Sequence, residues 1–309
     1  MIQAFIPEHC KNNGQDRYLQ GMAYTDKVQI HYFNSEDEEK LKNYQTVFES
    51  DEPIIVAGVM PEVCLYFKGN VYYCYTSPFG QAELNSYQDW YHGGELGILK
   101  VIQQGIGMGQ IKGCVTPSKS IADTLDFIYL PGVLNTNNLP KIDIMEDRAN
   151  YGFLGNNERK HRNQYNQLYA IDKLEPKEFI VLNKKPNSIY LNKNLGLKLV
   201  GKLSNEDYFK EISSHRLNFT CSFSESFSYQ VLEYCFAGVP SIVSPCIDWY
   251  PFKECVVKNI DNVQDIYKEA QDILSNKEFY EGISRKLPLW AQKFNEDQAE
   301  LLSSKLELL

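Results

Sequence analysis

The sequence predicts an α/β protein built as two halves, each a parallel sheet wrapped by helices. Three observations carry this. Short β-rich runs alternate with helical patterns through most of the chain, as crossover connections between parallel strands require. The alternation pauses over residues 134–150, a polar stretch rich in Asn and acidic residues, and then restarts. A chain of 309 residues is long for one compact domain and comfortable for two. The boundaries read from this are 1–148 and 149–288, with a closing helix at 289–309.

In the first half, IQAFIP (2–7), KVQIHYF (27–33), PIIVAGV (53–59) and VYYCYT (71–76) read as strands. The polar loop CKNNGQ (10–15) precedes a short helix at 16–24. SEDEEKLKNYQTVF (35–48) reads as a helix capped by Ser35, with acidic residues in the first turn, where the helix dipole favours them. Residues 80–110 are mostly helical, GCVTPS (113–118) is a strand running into a helix start, and FIYLPGV (127–133) closes the half.

In the second half, YGFLG (151–155), EFIVLN (178–183), LKLVGKL (197–203), LNFTCSF (217–223) and PSIVSP (240–245) read as strands. A basic helix start at 158–172, SNEDYFKEIS (204–213) capped by Ser204, and SYQVLEYCFAG (228–238) ended by Gly238 and Pro240 lie between them. Two helices at 262–275 and 277–285 precede a last one at 289–307.

Composition narrows the function. The net charge is −9, and almost all of the acidic excess falls in residues 1–150. That is a poor match to a nucleic-acid partner, whose phosphates call for many cations. The 8 cysteines form no Cys-x-x-Cys pair and no zinc-finger spacing, and several sit in apolar runs, so buried free thiols in a reducing cytoplasm are expected. The start of the chain lacks the order of a signal peptide, and no apolar run approaches the roughly 18–20 residues that cross a bilayer. At most peripheral membrane contact is expected.

The most informative stretch is SFSESFSYQVLEYCFAGVPSIVSP (222–245). Glu225 stands at the end of a predicted strand and Glu233 inside the following helix. The turn Ser226-Phe227-Ser228 between them presents free backbone N–H groups and the positive end of a helix dipole, which suits a diphosphate. Glu233 can accept both hydroxyls of a ribose, and Glu225 those of a sugar lying over the turn. The plain alternative is a strand–helix unit with two surface glutamates. Ala237 and Gly238, which allow close helix–strand packing behind the turn, weigh toward a site.

This stretch resembles the Glu-x7-Glu signature of family 4 retaining glycosyltransferases, with Glu225, Leu232-Glu233 and Ala237-Gly238-Val239-Pro240 in place and Ser226 and Ser228 where glycines are usual. GFLG with the basic cluster and LYA (152–170) resembles the segment whose cation holds the donor diphosphate; counting back from Ala170 selects Arg162, with Arg159 and Lys160 as neighbours in register. Pro131-Gly132-Val133 and the Gly201-Lys202 stretch also fit, and the likeness covers about 110–309. Before that it is poor: the first loop holds one glycine, Gly14, where the family has several. His92 beside Gly93-Gly94-Glu95 reads as a loop residue, and GIGMG (105–109) follows a helical pattern rather than a strand and is not a dinucleotide loop.

The resemblance implies the GT-B fold: two Rossmann-like domains with parallel sheets facing a central cleft, the first binding the acceptor and the second the nucleotide sugar. It implies transfer of a hexosyl group, with retention, from a nucleotide-diphosphate sugar to a hydroxyl of a glycan, lipid-linked or small-molecule acceptor. Glu225, Arg162 and Lys202 would carry the chemistry. Glu233, Arg159, Lys160, Ser226, Phe227, Ser228, Gly201 and Gly14 would hold the donor. No cofactor is expected beyond the donor substrate, and no metal, since no Asp-x-Asp motif stands outside the helical SEDEE run. The alternatives are a glycosyltransferase of modified DNA bases, which the acidic first half disfavours, a sugar-nucleotide epimerase, and a non-catalytic sugar-nucleotide-binding module.

Overall fold

A computed structural model describes residues 1–58, 60–77, 94–140, 148, 150–153, 160–175, 179–182, 197–200 and 203–309. The chain divides into two compact units, Met1–Asn135 with Asn295–Leu309, and Thr136–Phe294.

The first unit opens with β1 (Ile2–Pro7), buried along its whole length as a central parallel strand must be. Helix α1 (Gly14–Ala23), β2 (Val28–Phe33), α2 (Ser35–Lys42), β3 (Phe48–Glu49), β4 (Ile54–Val56), β5 (Phe67–Lys68) and β6 (Val71–Cys74) follow. Then come α3 (Gly94–Gly107), β7 (Gly113–Thr116), α4 (Lys119–Leu125) and β8 (Ile128–Tyr129). Six of these strands form one parallel sheet in the order β2-β1-β4-β6-β7-β8, and β3 pairs with β5 separately. Phe5, Ile54, Val56, Tyr73 and Cys114 are among the residues of its core. Gly21 lets α1 lie against the backbone at Val133, because a Cβ there would stand 2.1 Å from the Val133 carbonyl oxygen.

The second unit holds β9 (Asn150–Phe153), α5 (Gln164–Lys173), β10 (Phe179–Leu182), β11 (Leu197–Val200), α6 (Asn205–Ser213) and β12 (His215–Thr220). It continues through α7 (Tyr229–Phe236), β13 (Ser241–Val243) and α8 (Val263–Ser275) into the first part of α9 (Lys277–Leu306). Its parallel sheet has the order β11-β10-β9-β12-β13. Counting strands within each sheet, this is 3-2-1-4-5, and the first sheet is 2-1-3-4-5-6. Both are doubly wound orders. Each reverses direction once, between β1 and β4 in the first unit and between β9 and β12 in the second. Ligands of open α/β sheets bind beyond the carboxyl ends of the strands at that reversal.

Several expectations are corrected. The helix expected over 35–48 stops at Lys42, because Tyr44 takes a left-handed conformation (φ 59°) two residues later. Its cap is Asn34 rather than Ser35, in a reciprocal capping box with Asp37. The first helix begins at Gly14 rather than 16, since the Asn13 side chain accepts from the Gln15 and Asp16 amides. The helix expected from 158 begins at Gln164, after a 3-10 turn at Lys160–Arg162. Only Ile128 and Tyr129 of 127–133 pair as a strand.

The two helices expected at 277–285 and 289–307 are one, and Pro288 lies inside it. Proline in a helix interior costs about 3 kcal/mol. Here Ile283, Leu287 and Ala291 around it are buried, and that burial holds the helix together. Gly238 ends α7 with φ 66°, as expected, and a Cβ there would meet the Ser284 carbonyl oxygen of α9 at 2.9 Å.

Candidate active site

The loop between β12 and α7 carries the Glu-x7-Glu stretch. β12 ends at Thr220, earlier than the expected 223, so Glu225 lies within the loop and not at a strand tip. The reason is in the hydrogen bonds. Past Thr220 the Cys221 amide bonds to the Gln167 side chain (2.8 Å) and the Phe223 amide to the His161 carbonyl (2.7 Å), not to a neighbouring strand.

Those bonds bring the loop beside the 3-10 turn that carries Arg162. The Arg162 guanidinium pairs with the Glu225 carboxylate, whose same oxygen accepts from the Ser222 hydroxyl at 3.0 Å. The Glu225 side chain is 7% exposed and that of Arg162 23%. Directly after Arg162 the chain turns through Asn163 in the left-handed region (φ 51°), and the Asn163 side-chain Nδ2 donates to the Ile260 carbonyl (2.7 Å). Asn tolerates this conformation better than most residues.

Ser228 caps α7 without a side-chain hydrogen bond, and among the described residues its buried hydroxyl has no partner. The Ser224 hydroxyl is in the same condition. A buried polar atom without a partner is costly, and a helix start is electropositive. Together they leave donors at the start of α7 ready for an anion. Ser226 and Phe227 are half-buried. The Phe227 ring stacks on Trp249 (centroids 5.4 Å, planes 24° apart) and meets Tyr229 edge-on. Trp249 in turn stacks on Trp290 and Phe294, which anchors the turn.

Glu233 lies on α7, nearly buried, and accepts from the Tyr208 hydroxyl of α6 at 2.7 Å. Cys246 borders the pair: its thiol approaches the Ser222 carbonyl (3.5 Å) and the Ser244 hydroxyl (3.0 Å). Burial pushes this thiol up to about 11, against the lowering effect of the Ser244 hydrogen bond. All eight thiols are free, and Cys246 alone is not fully buried.

The structure therefore brings together Arg162, Glu225, Ser226, Phe227 and Ser228, with Glu233 farther along the same helix. Gly14 belongs to the other unit, at the first position of α1, where a Cβ would meet nothing within 4 Å. Arg159, Gly201, Lys202 and His92 lie outside the described residues, as does the Lys160 side chain. Sequence reasoning missed Ser222, Tyr208 and Gln167. Ser222 stood in the quoted stretch; the other two had no signal in their spacing. Among the described residues no group of three His, Cys, Asp or Glu side chains could hold a metal ion, and no helix is long and apolar enough to cross a membrane.

No family model matches the sequence, and no curated protein matches it by sequence comparison. Solved structures do match. HepE from Anabaena, in complex with UDP-glucose, superposes with a TM-score of 0.68 at 11% identity, over 98% of this chain and 100% of the other. Sucrose-phosphate synthase from Thermosynechococcus elongatus gives 0.69 at 12%, over 98% of each chain. A glycosyltransferase from Rickettsia africae gives 0.59 at 11%, over 99% of this chain and 97% of that one. The fold is GT-B. In this chain the strand-order reversal of the second unit lies between β9 and β12, and the segments that follow these two strands carry Arg162 and Glu225.

Proposed function

We propose that this GT-B chain is a glycosyltransferase that moves a hexosyl group from a nucleoside-diphosphate sugar to an acceptor hydroxyl, with retention and without a metal. The observation that carries this reading is the convergence of the Arg162–Glu225 pair with the uncapped start of α7, where the Ser228 hydroxyl is buried without a described partner. The likeness to a fold that has been crystallised with UDP-glucose supports it.

In this reading the diphosphate lies on the amides at 226–228, with Arg162 and Lys202 neutralising it and Arg159 or Lys160 contributing. Glu233 takes the ribose hydroxyls, and Glu225 those of the sugar. Gly201 would leave room for the donor. The acceptor oxygen bonds to the anomeric carbon as the bond from that carbon to the phosphate oxygen breaks, and the acceptor proton ends on the departing diphosphate. Charge develops on that leaving group, so fixed positive charge and oriented N–H groups are the main catalytic demand. Arg162 and the α7 dipole meet it without a metal ion, and addition of EDTA should leave the transfer rate unchanged. The acceptor is a glycan, a lipid-linked sugar or a small molecule, met by the first unit, in the cytoplasm.

The test is calorimetry with UDP, GDP, ADP, CMP and their sugars against the wild type and Glu233→Ala. Selective binding of one nucleotide, weakened in the variant, is expected. A folded wild-type protein that binds none of them overturns the reading.

A further inference from the structure

We propose that Gln167 is a positioning residue that fixes Arg162 relative to the Ser222–Glu225 loop; this rests on the donor reading above. Gln167 is fully buried in α5. Its amide nitrogen donates to the Arg162 carbonyl (2.6 Å) and the Asn163 carbonyl (3.2 Å), and its amide oxygen accepts from the Cys221 amide (2.8 Å). One side chain thus ties the backbone of the cation to the first residue past β12.

The chemistry explains why an amide stands there. At Cys221 the sheet ladder has ended, and the buried N–H would lack an acceptor. At Arg162 the chain turns into the left-handed Asn163, and the Arg162 and Asn163 carbonyls both face Gln167; that of Asn163 also accepts from the Gln167 backbone N–H at 3.4 Å. A side-chain carboxamide, with its donor and acceptor held apart on one rigid plane, serves the two segments together. The His161–Phe223 backbone bond (2.7 Å) is a second tie, one residue before Arg162. The cation is therefore bracketed on both sides by bonds to the loop that carries its carboxylate partner. An apolar side chain at 167 would pack as well and serve neither segment, which points to geometry and not burial as the purpose of the amide.

Two variants test this, Gln167→Met, which keeps the volume, and Gln167→Glu, which keeps the acceptor toward Cys221. The probes are UDP, with GDP and ADP beside it, by calorimetry, and uridine as the phosphate-free control by ligand-detected NMR. For Gln167→Met the Kd for UDP should rise by about tenfold, uridine binding should stay within about twofold, and kcat should fall. For Gln167→Glu the same weakening is expected near about pH 8, where the carboxylate faces the Arg162 carbonyl. Affinity should return near about pH 5, where a protonated carboxyl can donate to that carbonyl.

A folded Gln167→Met that binds UDP as the wild type does, or that loses uridine equally, overturns the assignment. Should the Met variant not fold, a Gln167→Glu pH profile identical to wild type overturns it alone. If the wild type binds no nucleoside diphosphate, the donor reading itself fails, which is a different result from a wild type that binds and variants that are unaffected.

Discussion

The two units offer the same kind of place, the reversal of a doubly wound sheet, and treat the helix start there in opposite ways. In the first, the start of α1 is satisfied by its own chain. The Asn13 side chain accepts from two first-turn backbone N–H groups, and the fully buried Asp16 accepts from the Asn12 backbone N–H (2.7 Å), the Tyr32 hydroxyl (2.7 Å) and the Gln20 side-chain Nε2 (2.8 Å). Its own burial, and after that the hydrogen bond to Asp16 and the charge of that carboxylate, push the Tyr32 phenol up to about 12. In the second, the start of α7 has no side-chain cap, a buried hydroxyl without a described partner, and a cation nearby. One helix start is closed by its own chain, and the other keeps a buried hydroxyl without a described partner. The shared architecture does not decide how a helix start is satisfied; the residue at the cap does.

That contrast can be broken or sharpened by four experiments. The largest effect is expected from Arg162→Ala. It removes the cation and strands the nearly buried Glu225 carboxylate, so nucleoside-diphosphate affinity should fall about 100-fold and the melting temperature should drop as well. Arg162→Ala melting and binding like wild type would break the comparison at its centre. Phe227→Ala comes next: losing the ring from its Trp249 stack should cost about 2–3 kcal/mol in stability by denaturant titration and raise the KM for the donor.

Asn13→Ala should cost about 1 kcal/mol of stability and leave UDP affinity unchanged, because that cap serves the fold alone. Weaker UDP binding in that variant would assign the first reversal a donor role after all. The smallest effect concerns Cys246. With its thiol held up to about 11, alkylation at neutral pH should be slow and should quicken about tenfold per pH unit on the way to that value, since only the thiolate reacts. UDP should slow it further by covering the neighbouring Arg162, which mass-spectrometric labelling would follow.

The sequence reveals most where a pattern is repeated locally. A run such as IQAFIP can be little else than a buried parallel strand, and the Ser204 cap with its following helix reads directly. It reveals least where one left-handed residue or one distant partner decides. Tyr44 ends α2 although nothing in its chemistry marks a stop. Pro288 suggests a break that the burial on either side of it overrides. Within the site, Arg162, Glu225 and Glu233 were legible because they sit in stretches with characteristic spacing. Tyr208 and Gln167 were not, because their partners lie 25 and 54 residues away in the chain and only the folded topology joins them.

The long helix α9 has a consequence for how the chain is made. Its last residues belong to the first unit: Asn295 both donates to and accepts from the Leu134 backbone (2.9 and 2.8 Å), and Glu307 pairs with Lys27. During synthesis, residues 1–135 leave the ribosome long before residues 295–309 that complete them. The second unit can close on itself as it emerges, while the first waits for residues 295–309. Stalling or release before those residues should therefore harm the unit that was made first.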